Sequence, residues 1–313
     1  MAPRHSAQPL LGIALKVSST LAFIAMATLI KLVSDRYPVG EIVFFRASVG
    51  LIPVAVWVGW RQFPRTFRTH RFGGHVVRSI AGATAMACSF AALRFLPIAD
   101  ATAIGYAQPL MTVIFAVLLL GERVHMFRWS AVVVGLGGVL VILSDYVGPE
   151  ASATSHASTV GALFAVASAV AGALAATQTR NFTRIELAPT IVAYFSSLTA
   201  GFSLATLPFG WVVPGQLDLL ALIGSGLCGG LGQVFLTQSY RFGEATLIAP
   251  FDYSSMLWAL IVSLAIFGAW PSATVLVGAA VVIGSGLFVI WREGRLGLDR
   301  SRSRRAQKRS TPI

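Results

Sequence analysis

Charge is what this 313-residue chain has least of: only 12% of its residues are Asp, Glu, Lys or Arg, against about 25% in an ordinary soluble chain. With 56% hydrophobic residues and a mean hydropathy of +0.75, it lacks the polar surface a water-soluble domain needs. Cysteine is as scarce. Cys88 and Cys228 both fall inside apolar runs, where a free thiol behaves as a small hydrophobe, and nothing in the sequence supports a bridge between them. His5, His70, His75, His125 and His156 sit in loops or at the edges of apolar runs, so no intramembrane His relay or metal cluster is expected. There is no Walker A loop, no HExxH and no paired-carboxylate site. The glycosylation sequon at Asn181–Thr183 falls on the inner side, where it carries no meaning. No catalytic residue, metal ligand or cofactor is therefore expected, and the chain does not read as an enzyme.

What the sequence does contain is long apolar runs, repeated along its whole length. Ten are long enough to span about 30 Å of hydrocarbon: 10–30, 41–60, 76–93, 99–120, 127–143, 160–178, 188–209, 219–240, 245–267 and 272–291. Short connections force neighbouring helices to pack antiparallel. The stretch Leu10–Ile30 exceeds a signal-peptide core and reads as a retained first helix. The net charge of +12 does not point to nucleic acid, because the basic residues occupy alternate loops. With the N-terminus inside, nineteen Lys and Arg fall on the inner face and three (Lys31, Arg36 and Arg94) on the outer. That asymmetry places both termini in the cytoplasm. The tail from Arg292 to Ile313 is basic and polar, and reads as a disordered, solvated anchor.

The stretch Arg94–Glu122 returns as Arg241–Ala269 at a spacing of 147. Arg94–Phe95 falls on Arg241–Phe242, Tyr106 on Tyr253, Leu110 on Leu257 and Gly121 on Gly268. Such a period marks a duplication. Five spans per half is odd, so the second half enters the membrane from the opposite side and the repeat is inverted. The expected architecture is all-α and integral to the membrane, with ten transmembrane helices as two inverted five-helix repeats. The boundaries are 10–144 and 159–292, followed by a basic cytoplasmic tail, 293–313.

An ionisable group inside a span costs about 2.5–3.5 kcal/mol on insertion scales and needs a reason. Asp252 lies some seven residues into the ninth span, roughly 10 Å deep, where it pairs with a cation, binds substrate or takes a proton. Arg46, near the outer third of the second span, either snorkels or binds. Lys16 and Arg78 read as boundary anchors, and Glu122 as a helix-end residue. Tyr106 and Tyr253 occupy equivalent positions, and a buried tyrosine hydroxyl needs a partner. Gln108 and Ser255 add neutral hydrogen-bonding capacity, and Trp258 stacks on a ligand or fills the core. The substrate-binding candidates are thus Arg46, Tyr106, Gln108, Asp252, Tyr253, Ser255 and Trp258. Pro109 and Pro250 interrupt their helices, which is tolerable against a cavity. Gly226 and Gly230 form a GxxxG packing face.

Three motifs carry a family resemblance: Glu41–Arg46 (EIVFFR), the run from Ala92 through Pro97 to Pro109 with its Gly121–Glu122 end, and Ala249–Tyr253 (APFDY) followed by Leu257–Ala259. By these the chain resembles the EamA family of the drug/metabolite transporter superfamily, over 10 to about 293. The resemblance implies a central cavity and alternating access, with the fifth and tenth helices peripheral. One departure is Gly268–Ala269, where relatives often repeat the Gly-Glu of Gly121–Glu122. The expected activity is secondary transport of a small organic metabolite across the cell inner membrane. A flat heteroaromatic compound such as riboflavin is the leading cargo. The alternatives are export of amino acids or metallophores, and carriage of S-adenosylmethionine. Expected partners are the substrate and the lipid bilayer, with a homodimer left open and no nucleic acid. A membrane enzyme acting on lipid and a scaffold are the competing classes. The first lacks a nucleophile or metal cluster, and the second leaves Asp252 unexplained.

Overall fold

A computed structural model describes residues 8–69, 71–122, 124–147, 155–182, 186–242 and 245–309. The described chain is helical, with no strand. The helices are α1 (Pro9–Val33), α2 (Val39–Val49), α3 (Leu51–Val58), α4 (Phe72–Phe95), α5 (Ile98–Gly105), α6 (Ala107–Leu120) and α7 (Met126–Val147). They continue with α8 (Ser155–Phe182), α9 (Ala188–Leu204), α10 (Gln216–Phe242), α11 (Ala245–Ile248), α12 (Ser254–Phe267) and α13 (Ala273–Arg309).

Among the described residues nine helical segments are long and apolar enough to cross a membrane. The seventh expected span, 188–209, is the exception. Its helix α9 ends at Leu204 after 17 residues, which covers about 25 Å, and a short 3-10 turn, Leu207–Phe209, follows. The outer surface is apolar, with Leu118, Val133, Leu140, Leu163 and Leu220 all more than 60% exposed. Water would penalise such a coat, whereas lipid tails solvate it. The protein is a multi-pass membrane protein.

The main packed pairs join residues before 148 to residues after 154: α1 lies on α10, α4 on α8, α7 on α13 and α2 on α9. The core is therefore the seam between the two halves of the chain. Close approach is set by missing side chains. Gly226 and Gly230 on α10 present their backbone to Gly50, between α2 and α3, with Gly230 N only 3.7 Å from a Cβ built there. The GxxxG face thus packs as its spacing predicts.

The ends of α6 and α12 are alike. Gly121 (φ 64°) and Gly268 (φ 60°) close them in the left-handed conformation. Gly121 N–H bonds Val117 C=O and Gly268 N–H bonds Leu264 C=O, the 5→1 bond of an αL cap, and behind them Glu122 N–H bonds Ala116 C=O as Ala269 N–H bonds Ser263 C=O. The two caps stand 147 residues apart, at the repeat spacing. Glu122 lies just past the first cap, as a helix-end residue.

The tail departs from expectation. It reads from sequence as disordered, but α13 runs on as helix to Arg309. Ser301–Arg309 contains neither Gly nor Pro, and Arg, Gln and Lys are good helix formers.

Candidate functional site

Two transmembrane segments are broken, and the breaks meet. The Ile98–Leu120 segment pauses at Tyr106 (φ −66°, ψ −5°) between α5 and α6. The later segment passes from α11 through a 3-10 turn, Ala249–Tyr253, before α12 starts. Pro109 falls in the first turn of α6 and Pro250 in the 3-10 turn, where a missing N–H costs little. The prolines therefore mark restarts, and the breaks fall at the tyrosines. The Tyr106 and Tyr253 rings meet edge to face at 5.2 Å and 66°. Tyr106 Oη lies 2.7 Å from Ser255 Oγ and donates to Tyr253 C=O at 3.5 Å. Two candidate tyrosines and Ser255 thus come together across the seam. Tyr106 is only 9% exposed, its hydroxyl satisfied within the protein. Tyr253 lines a cavity of 410 Å³ with Pro109, Glu122, Arg128 and Gly286.

Immediately before Tyr253, Asp252 pairs with Lys16 of α1 at 2.5 Å. The Lys16 side chain is 1% exposed and that of Asp252 51%. Lys16 Nζ also donates to Tyr240 Oη at 3.4 Å and stands 5.1 Å from the centre of that ring. Lys16 is therefore a buried partner of the ninth span, which corrects its reading as a snorkelling anchor. Nearby, the hydroxyls of Thr20 and Ser254 lie 2.7 Å apart and Ser19 donates to Gly232 C=O at 2.8 Å. These contacts tie α1 to the break and to α10.

Arg46 is 6% exposed, so it does not snorkel, and its Nε has no hydrogen-bond partner. It lies beside α10, where a Cβ built on Gly229 falls 3.0 Å from Arg46 Nε and 2.8 Å from Met26 Sδ. Trp258 packs against the apolar cluster of Ile24, Phe90 and Ile98, with Met26 and Phe45 beside it. Its Nε1 is a buried donor without a partner. Gln108 is exposed on α6, away from the tyrosine pair, with its amide against Gly172 of α8.

Several polar groups escaped the sequence reading as site candidates. Asp100 is 5% exposed; Tyr146 Oη donates to its Oδ2, while Oδ1 is unpartnered. Lys31 caps the end of α4 through Leu93 and Leu96 C=O, both at 2.7 Å. Glu41, 1% exposed, accepts from Val212 N–H at 3.1 Å. Arg78 is not a boundary anchor: its Nε donates to Thr179 Oγ1 at 2.7 Å and its guanidinium lies 4.9 Å above Phe195. His75 is stacked between Phe182 and Tyr194 at 4.7 and 4.5 Å. Each ionisable group lay inside or beside an apolar run, which was the available signal. The partners, distant in sequence, were not visible.

At the end of the bundle where α1 leads into α2, Tyr37 Oη donates to Asp218 Oδ2 at 2.9 Å, Arg36 pairs with the same carboxylate at 2.9 Å, and Gly215 N–H donates to Tyr37 Oη. With Glu41 and Val212, these contacts fasten the α1–α2 connection to the α9–α10 connection. Among the described residues no group of three His, Cys, Asp or Glu is placed to hold a metal.

A helical membrane protein with two broken spans meeting at a polar seam has the form of a solute carrier. The chain belongs to the EamA-like transporter family, whose model matches residues 10–144 and 159–291. It is 28% identical over 290 residues to an S-adenosylmethionine uptake transporter of Rickettsia conorii, covering 91% of this chain and 94% of that one. It is 28% identical over 277 residues to a pseudopaline exporter of Pseudomonas aeruginosa (87% and 93%). A riboflavin transporter of Vibrio cholerae is 27% identical over 288 residues (90% and 93%). The chain is also similar to a protein of known crystal structure, with a TM-score of 0.63 at 22% identity over 90% of this chain and 98% of that one, which supports the fold alone.

Proposed function

We propose that the protein is a secondary transporter that moves a flat heteroaromatic metabolite across the cell inner membrane by alternating access, with both termini in the cytoplasm, and that it is not an enzyme. The observation that carries this reading is the meeting of Tyr106 and Tyr253 at two helix breaks 147 residues apart. Breaks of this kind are tolerated in a membrane where they face a cavity or a neighbour, and rocking one half against the other remakes contacts there. The halves are the inverted five-helix repeats 10–144 and 159–292, with α9 as the tenth crossing. The outer contacts around Tyr37, Asp218 and Glu41 then belong to an outward-closed state.

The flat ring of the substrate sits beside Trp258, whose unpartnered N–H offers it a hydrogen bond. The tyrosines are the seam beside that site, since Tyr106 already spends its hydroxyl on Ser255. S-adenosylmethionine and riboflavin, the cargo named for relatives at 27–28% identity, both carry such a ring. The test is heat denaturation of the purified protein with each metabolite in turn, since a ligand that binds only the folded state raises the midpoint. One of the two ring-bearing compounds should raise it saturably, and Trp258→Ala should lose the effect. Stabilisation by neither, or an unchanged effect in Trp258→Ala, would remove this substrate class.

A further inference from the structure

The charges of the bundle do not close on themselves. Asp252 is held by Lys16, Asp218 by Arg36 and Tyr37, Asp35 by Arg94 at 3.5 Å and Asp100 by Tyr146. Glu41 accepts from Val212 N–H, Glu186 from Thr69 and Asp145 from Ser272. Among the described residues Arg46 has no carboxylate and no hydrogen-bond acceptor, although it is 94% buried by its 6% exposure. A guanidinium is always charged, presents five donors and is too costly to bury without an anion.

Asp252 is not that anion. Met26, which shares the Gly229 contact with Arg46, lies ten positions beyond Lys16 on α1, or about 15 Å along the helix. The Lys16–Asp252 pair and Arg46 therefore occupy different levels of the bundle. At that upper level α10 packs directly on the guanidinium: position 229 has no side chain, and Arg46 Nε and Met26 Sδ take the space one would fill, 3.0 and 2.8 Å from a Cβ built there. The Trp258 indole, in the same apolar cluster as Met26, supplies a second unsatisfied N–H.

We infer that Arg46 is the seat of a carboxylate carried by the substrate, so that the cargo is an organic acid or zwitterion with an apolar or aromatic body. This rests on the transporter reading and narrows its substrate class. The ring takes the layer of Trp258 and Met26, and the acid end takes the guanidinium, whose fork matches a carboxylate in two parallel hydrogen bonds. A neutral heteroaromatic compound leaves the arginine unpaired and is disfavoured.

Two measurements on the full-length purified protein test this. The first needs no ligand: Arg46→Met removes an uncompensated buried charge, so the ligand-free variant should melt above wild type, by about 2–4 °C. A lower melting temperature would mean that the guanidinium has a partner within the protein, and would overturn the inference. The second compares S-adenosylmethionine and aromatic amino acids with their carboxamides, with riboflavin and with inorganic phosphate, by stabilisation and by displacement of bound label. The acids should outrank their amides by about 30-fold or more in wild type, and that preference should vanish in Arg46→Met. Equal binding of acid and amide, or equal binding of phosphate, overturns the carboxylate seat while leaving a transporter of neutral cargo standing. A preference for acids that survives in Arg46→Met overturns it too, by placing the anion elsewhere.

Discussion

The Lys16–Asp252 pair makes an asymmetric prediction. Its two ends differ in burial, with the lysine side chain 1% exposed and the aspartate 51%. Breaking a fully buried pair by removing one partner costs about 3–5 kcal/mol, because the survivor is left charged and dry. In Asp252→Asn the survivor is the dry partner. Lys16 keeps only Tyr240, whose oxygen is 3.4 Å away, so a loss of about 2–4 kcal/mol follows, the half-exposed aspartate having been partly screened. In Lys16→Met the survivor is Asp252, which can turn to solvent, and the loss falls to about 0–1 kcal/mol. The double variant should recover most of the difference, lying close to Lys16→Met. Reversible unfolding of the four proteins in detergent micelles, arranged as a double-mutant cycle, gives these values. A Lys16→Met variant less stable than Asp252→Asn, or a coupling energy near zero, would show that the pair does not hold the ninth span to the first.

Two further outcomes follow from named contacts. Tyr106→Phe should cost about 1 kcal/mol, and Ser255→Ala should add little to it, because the two hydroxyls bond each other at 2.7 Å; additive losses would separate them. Val213, 93% exposed on the connection between α9 and α10, should as Val213→Cys be labelled by an impermeant thiol reagent only from outside, and Arg65→Cys only from the cytoplasm. Label reaching Val213→Cys from the inside would break the inside placement of the termini.

Span placement was legible because an apolar run of about 20 residues has few alternatives. The short span is an informative exception. The apolar run continues past Leu204, but Pro208 and Gly210, the latter at φ 91°, turn the chain before the helix is as long as its neighbours. The breaks at Tyr106 and Tyr253 were half legible. Pro109 and Pro250 announced irregularity, but a proline is at home in the first turn of a restarted helix, so the interruption lies just upstream of Pro109 and extends past Pro250 to Tyr253. The hydrogen bond between the tyrosine seam and Ser255 depends on tertiary packing that no local pattern encodes.

The charged residues divide differently. Asp252 stood out because a carboxylate seven residues into a span cannot reach the headgroups. Lys16 was passed over because a long side chain near a helix end has a bland explanation in snorkelling; only its 1% exposure and its contact with Asp252 remove that explanation. Arg46 shows the limit of sequence reading from the other side. The residue could be named, but its lack of a counter-ion is a property of its surroundings. Asp100 and Glu41 lay within the family motifs, and what they do is set by Tyr146 and by the backbone of Val212.

The central claim is carriage of a solute between the two faces, and counterflow in proteoliposomes tests it most directly. Vesicles holding purified protein are loaded with unlabelled S-adenosylmethionine or riboflavin and diluted into a trace of the same compound carrying label, with no ion gradient imposed. The account predicts a transient accumulation of label above its equilibrium level with one of the two. It also predicts that the overshoot is absent from protein-free vesicles and abolished in Trp258→Ala. Passive equilibration at the protein-free rate with both compounds, or recovery of a chemically altered product in place of the labelled compound, would contradict it.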